Sequence, residues 1–328
     1  MQAYDVFNGG ADGLCALLQL RLAEPRDAVL VTGVKRDISL LRQLPTYTAL
    51  DVTALDISLE KNRDAVDALL QAGSRVFYCD HHYPGEQLPE HPGFTALIDT
   101  QPTTCTSLLI DQHLAGRFRG WAIAAAFGDN LNAVAEKLAE QSGFDVAQIQ
   151  ALKHLGICIN YNGYGASVDD LYFHPAELFR ALLPYADPLT LLHSEPDVWR
   201  TLSRGYTEDM AQGLEMSPLH QCETALVLAL PDEPWARRVS GVLGNELANR
   251  FPDQACAVLT EAGAEHYLVS IRAPLNSRCG ADELARQFPT GGGRKAAAGI
   301  NQLPRDQLAT FIQAMQRQWS SVAHEDTP

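Results

Sequence analysis

Short β-rich runs alternate with helical patterns through the first 130 residues, and this alternation restricts the fold more than any other feature of the chain. Residues 4–7, 28–34, 49–55, 75–79 and 95–98 read as strands, and residues 14–22 and 61–71 read as helices between them. That rhythm belongs to an open, mainly parallel sheet with helices on both faces. In such sheets ligands gather beyond the carboxyl ends of the strands. Polar residues follow strands here at 8–12, 56–58 and 80–82, where a site is expected.

From Trp121 to about Trp199 the pattern turns helical, and residues 156–167 (GICINYNGYGAS) read as a loop of turn formers inside it. A stretch with Pro188, Pro196 and Pro218 has mixed helical character and reads as a connection. Strands return at 224–230, 255–260 and 266–271, with helices at 235–249, 281–288 and 305–319. The expected fold class is therefore α/β, an N-terminal mainly parallel sheet with flanking helices joined to a smaller C-terminal α/β domain. The expected boundaries are 1–190, a connecting segment 191–221, and 222–322, with a frayed tail after Val322. A length of 328 residues with 46% hydrophobic content suits two globular domains.

Charge restricts the partners. Twenty-five Lys and Arg against 40 Asp and Glu give a formal charge of −15, so double-stranded DNA is not an expected partner. A nucleotide or short oligonucleotide would need a local basic cluster. The start MQAYDVFNGGADG lacks a basic and then apolar leader, and no apolar run approaches the ~20 residues of a membrane span. A cytoplasmic location without membrane contact is expected. Seven cysteines without CxxC spacing argue against a disulfide framework or a thiolate zinc site, and most read as small core residues.

Five signals carry chemistry. Asp80, His81 and His82 follow an apolar strand directly, and carboxylate with imidazole suits a divalent transition metal. Asp12-Gly13 stands at the turn from first strand to first helix, where Asp is either a cap or a site residue. Asp56 and Asp129 each end an apolar run, and Asp51 competes with Asp56 as the acid of the third strand. In the second domain, Gly291, Gly292 and Gly293 precede Arg294 and Lys295, a pattern that reads as consecutive exposed amides beside fixed charge. Arg272 adds another cation, and residues 270–295 hold five basic against two acidic side chains, the reverse of the whole chain.

In this order, Asp-Gly, a strand-end acid, DHH, Gly-Asp and GGGRKAAAG resemble the DHH phosphoesterase superfamily, the nanoRNase and RecJ type, with its DHH-associated C-terminal domain. The resemblance covers roughly residues 4–320. It implies a metal-dependent phosphoesterase acting on phosphodiester or phosphomonoester bonds of short oligonucleotides or small nucleotides, with the site in a cleft between two domains. Asp12, Asp56, His81 and Asp129 would hold one metal, manganese before magnesium, with Asp56 able to bridge to a second. His82 would face the scissile phosphate, and Arg272, Gly291, Gly292, Gly293 and Arg294 would hold substrate.

The chain departs from that pattern at its start. Relatives carry two further ligands where this sequence has Asn8 and Gly10, which offer a neutral amide and no side chain. One metal site is therefore expected, and the second is in question. Two readings follow: a working hydrolase, or a degenerate relative that binds a nucleotide or oligonucleotide without cleaving it. The sequence does not choose the phosphoester, and it is silent on oligomeric state.

Overall fold

The structure is a computed structural model that describes residues 1–320. The tail after Val322 and the last residues of the 222–322 segment lie outside the described residues. The chain forms two compact units, Met1–Gly205 and the remainder from Tyr206 on.

In the first unit, β1 (Gln2–Phe7), β2 (Val29–Val31), β3 (Leu50–Leu55), β4 (Arg75–Asp80) and β5 (Phe94–Ile98) build one sheet in the order β2-β1-β3-β4-β5. Every strand pair is parallel. The register sets Phe7 opposite Leu55 and Leu55 opposite Cys79, so Asn8, Asp56 and Asp80 end up side by side at the carboxyl edge. Two further backbone bonds, Asn8 to Leu55 and Asp56 to Cys79, both 3.1 Å, carry the ladder into that edge. Helices α1 (Ala11–Ala23) and α2 (Leu59–Gln71) are the crossovers. Val66, Leu69 and Leu70 of α2 pack on Val6, Val52, Ala54, Val76 and Tyr78 of the sheet. Residues 11–21 of α1 are buried on every side, because α1 also packs on α3 (Thr106–His113), α4 (Arg119–Gly128) and α6 (Val146–Tyr161). Its one arginine, Arg21, is admitted to this interior by a two-pronged pair with buried Asp5, both contacts 2.7 Å. Helices α5 (Asn132–Gln141), α7 (Pro175–Leu182) and α8 (Pro188–Ser194) complete this unit, and the division between units falls within α9 (Asp197–Glu215). The segment 191–221 is thus largely helix.

The second unit carries a mixed sheet of six strands in the order β10-β11-β9-β8-β7-β6. These are β6 (His220–Gln221), β7 (Ala225–Leu230), β8 (Ala255–Ala262), β9 (His266–Arg272), β10 (Gly291–Gly293) and β11 (Ala297–Pro304), with helices α10 (Pro234–Arg250), α11 (Ala281–Ala285) and α12 (Leu308–Ser320). Strand β11 was not legible in a run of Ala and Gly, residue types with low β-propensity; cross-strand pairing with β9 and burial of Ala298, Ile300 and Leu303 make it a strand. The three glycines are likewise not an open loop. Gly291, Gly292 and Gly293 pair with Ile300, Gly299 and Ala298 as a short edge strand. All seven cysteines are free, and Cys15, Cys79, Cys105, Cys158 and Cys256 are buried as expected. No helix among the described residues is long and apolar enough to cross a membrane.

One correction bears on the site. Residues 156–161, read from sequence as the start of a loop, are the last turns of α6. Gly156 is there for close approach and not for a turn: a Cβ on it would lie 1.8 Å from the carbonyl oxygen of Ala124 in α4. Backbone cannot yield as a side chain would, so α4 and α6 can cross at this distance only at glycine. Gly156→Ala should therefore lower stability by at least the ~1–3 kcal/mol of ordinary overpacking, read as a fall in Tm. Gly241→Ala in α10, where nothing lies within 4 Å, should be neutral or slightly stabilising in the same measurement.

Candidate metal centre

Two of the acids at the carboxyl edge, Asp12 and Asp56, are fixed by backbone amides. Asp12, in the first turn of α1, accepts from the main-chain N–H of Ser107 (2.7 Å) and of Thr106 (2.8 Å). These are the unpaired first amides of α3, so a helix N-terminus is aimed at the carboxylate and favours its charge. The Ser107 hydroxyl also donates to the Asp12 carbonyl, at 2.7 Å. Asp56 leaves β3 in the left-handed region, φ 56°, and its Oδ2 accepts from the Gly13 amide at 3.1 Å. Asp129 follows the end of α4. Asp51 is not part of this group. It stands near the start of β3 and pairs with Arg75 (2.9 Å) and Arg26 (3.4 Å), so Asp56 is the acid of this edge.

The three carboxylates converge on one imidazole nitrogen. His81 Nε2 lies 3.5 Å from Asp56 Oδ1, 3.8 Å from Asp12 Oδ2 and 3.9 Å from Asp129 Oδ2. Ligand atoms around a single divalent ion, each about 2.0–2.6 Å from it, have separations of this size. Two overlapping groups have donor atoms all within 4.8 Å: Asp12, His81 and Asp129, and Asp56, His81 and His82. Carboxylate oxygens with imidazole nitrogen fit manganese or a similar ion in donor chemistry. His82 is turned by its neighbour, its Nδ1 2.7 Å from Asp80 Oδ1 and 3.9 Å from Asp56 Oδ1. Buried Asp80 is thereby an orienting partner for His82.

The crowding of acids shows in their proton affinities. Burial, then the charge of Asp12, pushes the Asp56 carboxyl up to about 7. Burial works against charge on His81, but its hydrogen bond to Asp56 and the charges of Asp12, Asp56 and Asp129 prevail and raise it to about 9. The hydrogen bond to Asp80 is the main cause that raises His82 above its usual value.

Sequence reasoning missed four participants: Thr106, Ser107, Lys35 and Asn160. Lys35 Nζ donates to Asn160 Oδ1 (2.8 Å) and to Asp129 Oδ1 (3.2 Å). Asn160 Oδ1 also accepts from the Ala11 amide (3.3 Å), and its Nδ2 donates to the Tyr164 hydroxyl (3.2 Å). Asn8 does structural work: its Oδ1 accepts from Gly10 N–H (2.8 Å) and its Nδ2 donates to the Lys35 carbonyl (2.9 Å). Lys35 was discoverable, since it follows the second strand as the other site residues follow theirs. Asn160 was hidden by the reading of 156–167 as a loop.

In the second unit the basic cluster divides. Arg272 is committed internally, to Asn245 Oδ1 (2.6 Å), Ser270 Oγ (3.1 Å) and the carbonyls of Ile271 and Gly241 (both 3.0 Å). Arg286 pairs with Asp282 at 2.6 Å. Arg294 is exposed in the turn from β10 to β11, and its guanidinium has no partner among the described residues.

No family model matches the chain, and no curated protein matches it. Solved structures do. RecJ from Thermus thermophilus, in complex with Mn2+, superposes with a TM-score of 0.65 at 17% identity over 98% of this chain. A second RecJ, bound to manganese, gives 0.59 at 18% identity over the whole chain. The fold is that of these RecJ structures. A pGpG-specific phosphodiesterase from Vibrio cholerae, PggH, shares it, with a TM-score of 0.57 at 14% identity over 98% of this chain. The chain spans about half (52%) of the Thermus RecJ and 91% of the second RecJ.

A pH dependence follows from the crowded acids. The Asp56 carboxyl, raised from 3.8 to about 7, costs stability progressively as pH rises through that range and the group is forced to ionise. His81, raised from 6.5 to about 9, gives stability below 6.5 that is lost as pH rises through 9. Both signs agree. In chelator, Tm should fall between pH 6 and 9 by an amount worth at least about 1 kcal/mol, roughly 2–4 °C. Asp56→Asn, which removes the charge but keeps an acceptor for Gly13, should flatten that fall.

Proposed function

We propose that the chain is a metal-dependent phosphoesterase that hydrolyses phosphodiester or phosphomonoester bonds of short oligonucleotides or small nucleotides. The observation that carries this reading is the convergence of Asp12, Asp56 and Asp129 on His81 Nε2. The fold shared with RecJ and with the pGpG phosphodiesterase supports it. Asp12, Asp56, His81 and Asp129 are the residues that would hold the metal, manganese or magnesium. A divalent ion there would neutralise charge on phosphoryl oxygens and acidify the attacking water.

The chain's own groups supply the rest. The α3 amides and Gly13 N–H hold Asp12 and Asp56 in place before substrate arrives, so the donor atoms need no reorganisation. His82, oriented by Asp80, whose hydrogen bond favours the charged form of the ring, presents its remaining ring nitrogen as a proton donor for the leaving oxygen. Arg294, with Gly291, Gly292 and Gly293 beside it, is the group to hold a substrate phosphate, because its planar fork is uncommitted. Arg272 has its donors engaged and contributes mainly by fixing the end of β9.

A second reading, a nucleotide-binding relative without hydrolysis, is favoured by one observation: Asp129 already shares its charge with Lys35. A hydrolysis panel separates the two readings. With manganese, a 5′-phosphorylated dinucleotide, bisphosphorylated adenosine and pyrophosphate are each incubated with the chain, and at least one should be cleaved. His81→Ala should lower kcat/KM for it by at least about 100-fold, the upper end of what even an outer partner of a metal costs. Tight binding of the panel with no turnover in any divalent metal would replace the enzyme reading by the second one.

Arg294→Ala should raise KM or Kd at least about tenfold, since a charge-assisted contact is worth ~1.5–3 kcal/mol. Manganese binding should be unchanged, and Arg294→Lys should recover only part. Unchanged affinity across the panel would remove Arg294 from the substrate site.

A further inference from the structure

We infer that the Lys35 ammonium is the second cation of the acid cluster, so that the centre takes one divalent metal ion per chain. The inference rests on the proposed metal centre and adds a residue and a stoichiometry to it.

Lys35 is built into its position from both backbone sides. Its N–H donates to the Gly163 carbonyl at 2.7 Å, and its carbonyl accepts from Asn8 Nδ2 at 2.9 Å. Its side chain is 26% exposed and ends on Asp129 and Asn160. The arm also fills space: a Cβ at Gly10 would lie 3.1 Å from Lys35 Cδ, 3.0 Å from Asn160 Oδ1 and 3.1 Å from Asn8 Oδ1. No side chain at position 10 could reach the cluster without displacing the lysine.

The charge balance points the same way. Asp12, Asp56 and Asp129 bring three negative charges to a place where Asp12 and Asp56 are 1% and 6% exposed. His81 as a ligand is neutral. One divalent ion leaves a single negative charge, and Lys35 cancels it; two divalent ions beside the ammonium would leave two positive charges in excess. Net charge in a poorly hydrated site is costly, so the one-ion arrangement is favoured. Beyond Asp129 the ammonium meets the Asn160 amide oxygen at 2.8 Å and lies 5.9 Å from the Tyr164 ring centroid, with the Asp56 charge also acting on it, so one neutral oxygen and an aromatic ring stand where a second hard dication would need further oxygen ligands.

The test is manganese binding to the full chain, by isothermal titration and by electron paramagnetic resonance, with no substrate. One Mn2+ per wild-type chain, with the spectrum of an isolated ion, is expected. Lys35→Ala should bind that ion at least tenfold more tightly, because a cation competing for Asp129 is gone; a merely structural lysine would shift Tm and leave affinity alone. Two Mn2+ per wild-type chain with a spin-coupled spectrum would overturn the inference while leaving the phosphoesterase reading in place. So would unchanged or weakened Mn2+ binding in folded Lys35→Ala. Absence of Mn2+ binding by the wild type would overturn both.

Discussion

Three carboxylates forced together at the end of a buried sheet are the condition to which the rest of the first unit responds. Mutual repulsion and lost hydration would expel or neutralise them unless each had its own compensation. Asp12 receives two amides at the start of α3, Asp56 receives the Gly13 amide, and Asp129 receives the ammonium of Lys35. The Asp56 carboxyl, raised to about 7, shows that this compensation is incomplete without another cation. A cluster left short of positive charge by a well-packed scaffold is suited to bind a metal ion, and the unfavourable charge term becomes part of the affinity.

The scaffold keeps the acids together through register. Strands β1, β3 and β4 end level with one another because Phe7, Leu55 and Cys79 pair across the sheet. A slip of one residue would turn Val52, Ala54, Val76 and Tyr78 out of their core, so the hydrophobic pattern that holds the fold also holds the site. The helices behind it are positioned as tightly. At Gly156 the backbones of α4 and α6 touch, which fixes Asp129 at the end of one helix and Asn160 near the end of the other.

Most of this edge was legible in the sequence, because strand ends are marked by a change from apolar to polar residues and the acids stand at those changes. The parallel sheet and the smaller second α/β domain could be read in that way, whereas the grouping of Asp12, Asp56, His81 and Asp129 came from the resemblance carried by the order of the motifs. What escaped is what depends on contacts between distant segments. Lys35 and Asn160 are 125 residues apart and meet only through tertiary packing. Gly156 has the composition of a turn residue, and only the carbonyl of Ala124 shows why glycine is needed inside a helix. The choice between Asp51 and Asp56 was likewise open until Arg26 and Arg75 were seen to hold the former.

The glycines of the second unit show how one sequence signal can have two physical causes. Three in a row suggest amides bared for a phosphate, yet Gly291 is required because a Cβ would lie 1.8 Å from the Ala285 carbonyl, and Gly293 because its φ is 147° and a Cβ would crowd Ala298. Only Gly292 has open space around its absent side chain. Packing alone thus explains two of the three, and their presence is not by itself a sign of a ligand. The weight falls on the charges nearby. Arg272 and Arg286 are spoken for by Asn245, Ser270 and Asp282, and Arg278 donates to the Leu275 carbonyl, which leaves Arg294 and Lys295 as the exposed cations of the turn. A guanidinium that the fold does not hold keeps its planar fork free for other acceptors.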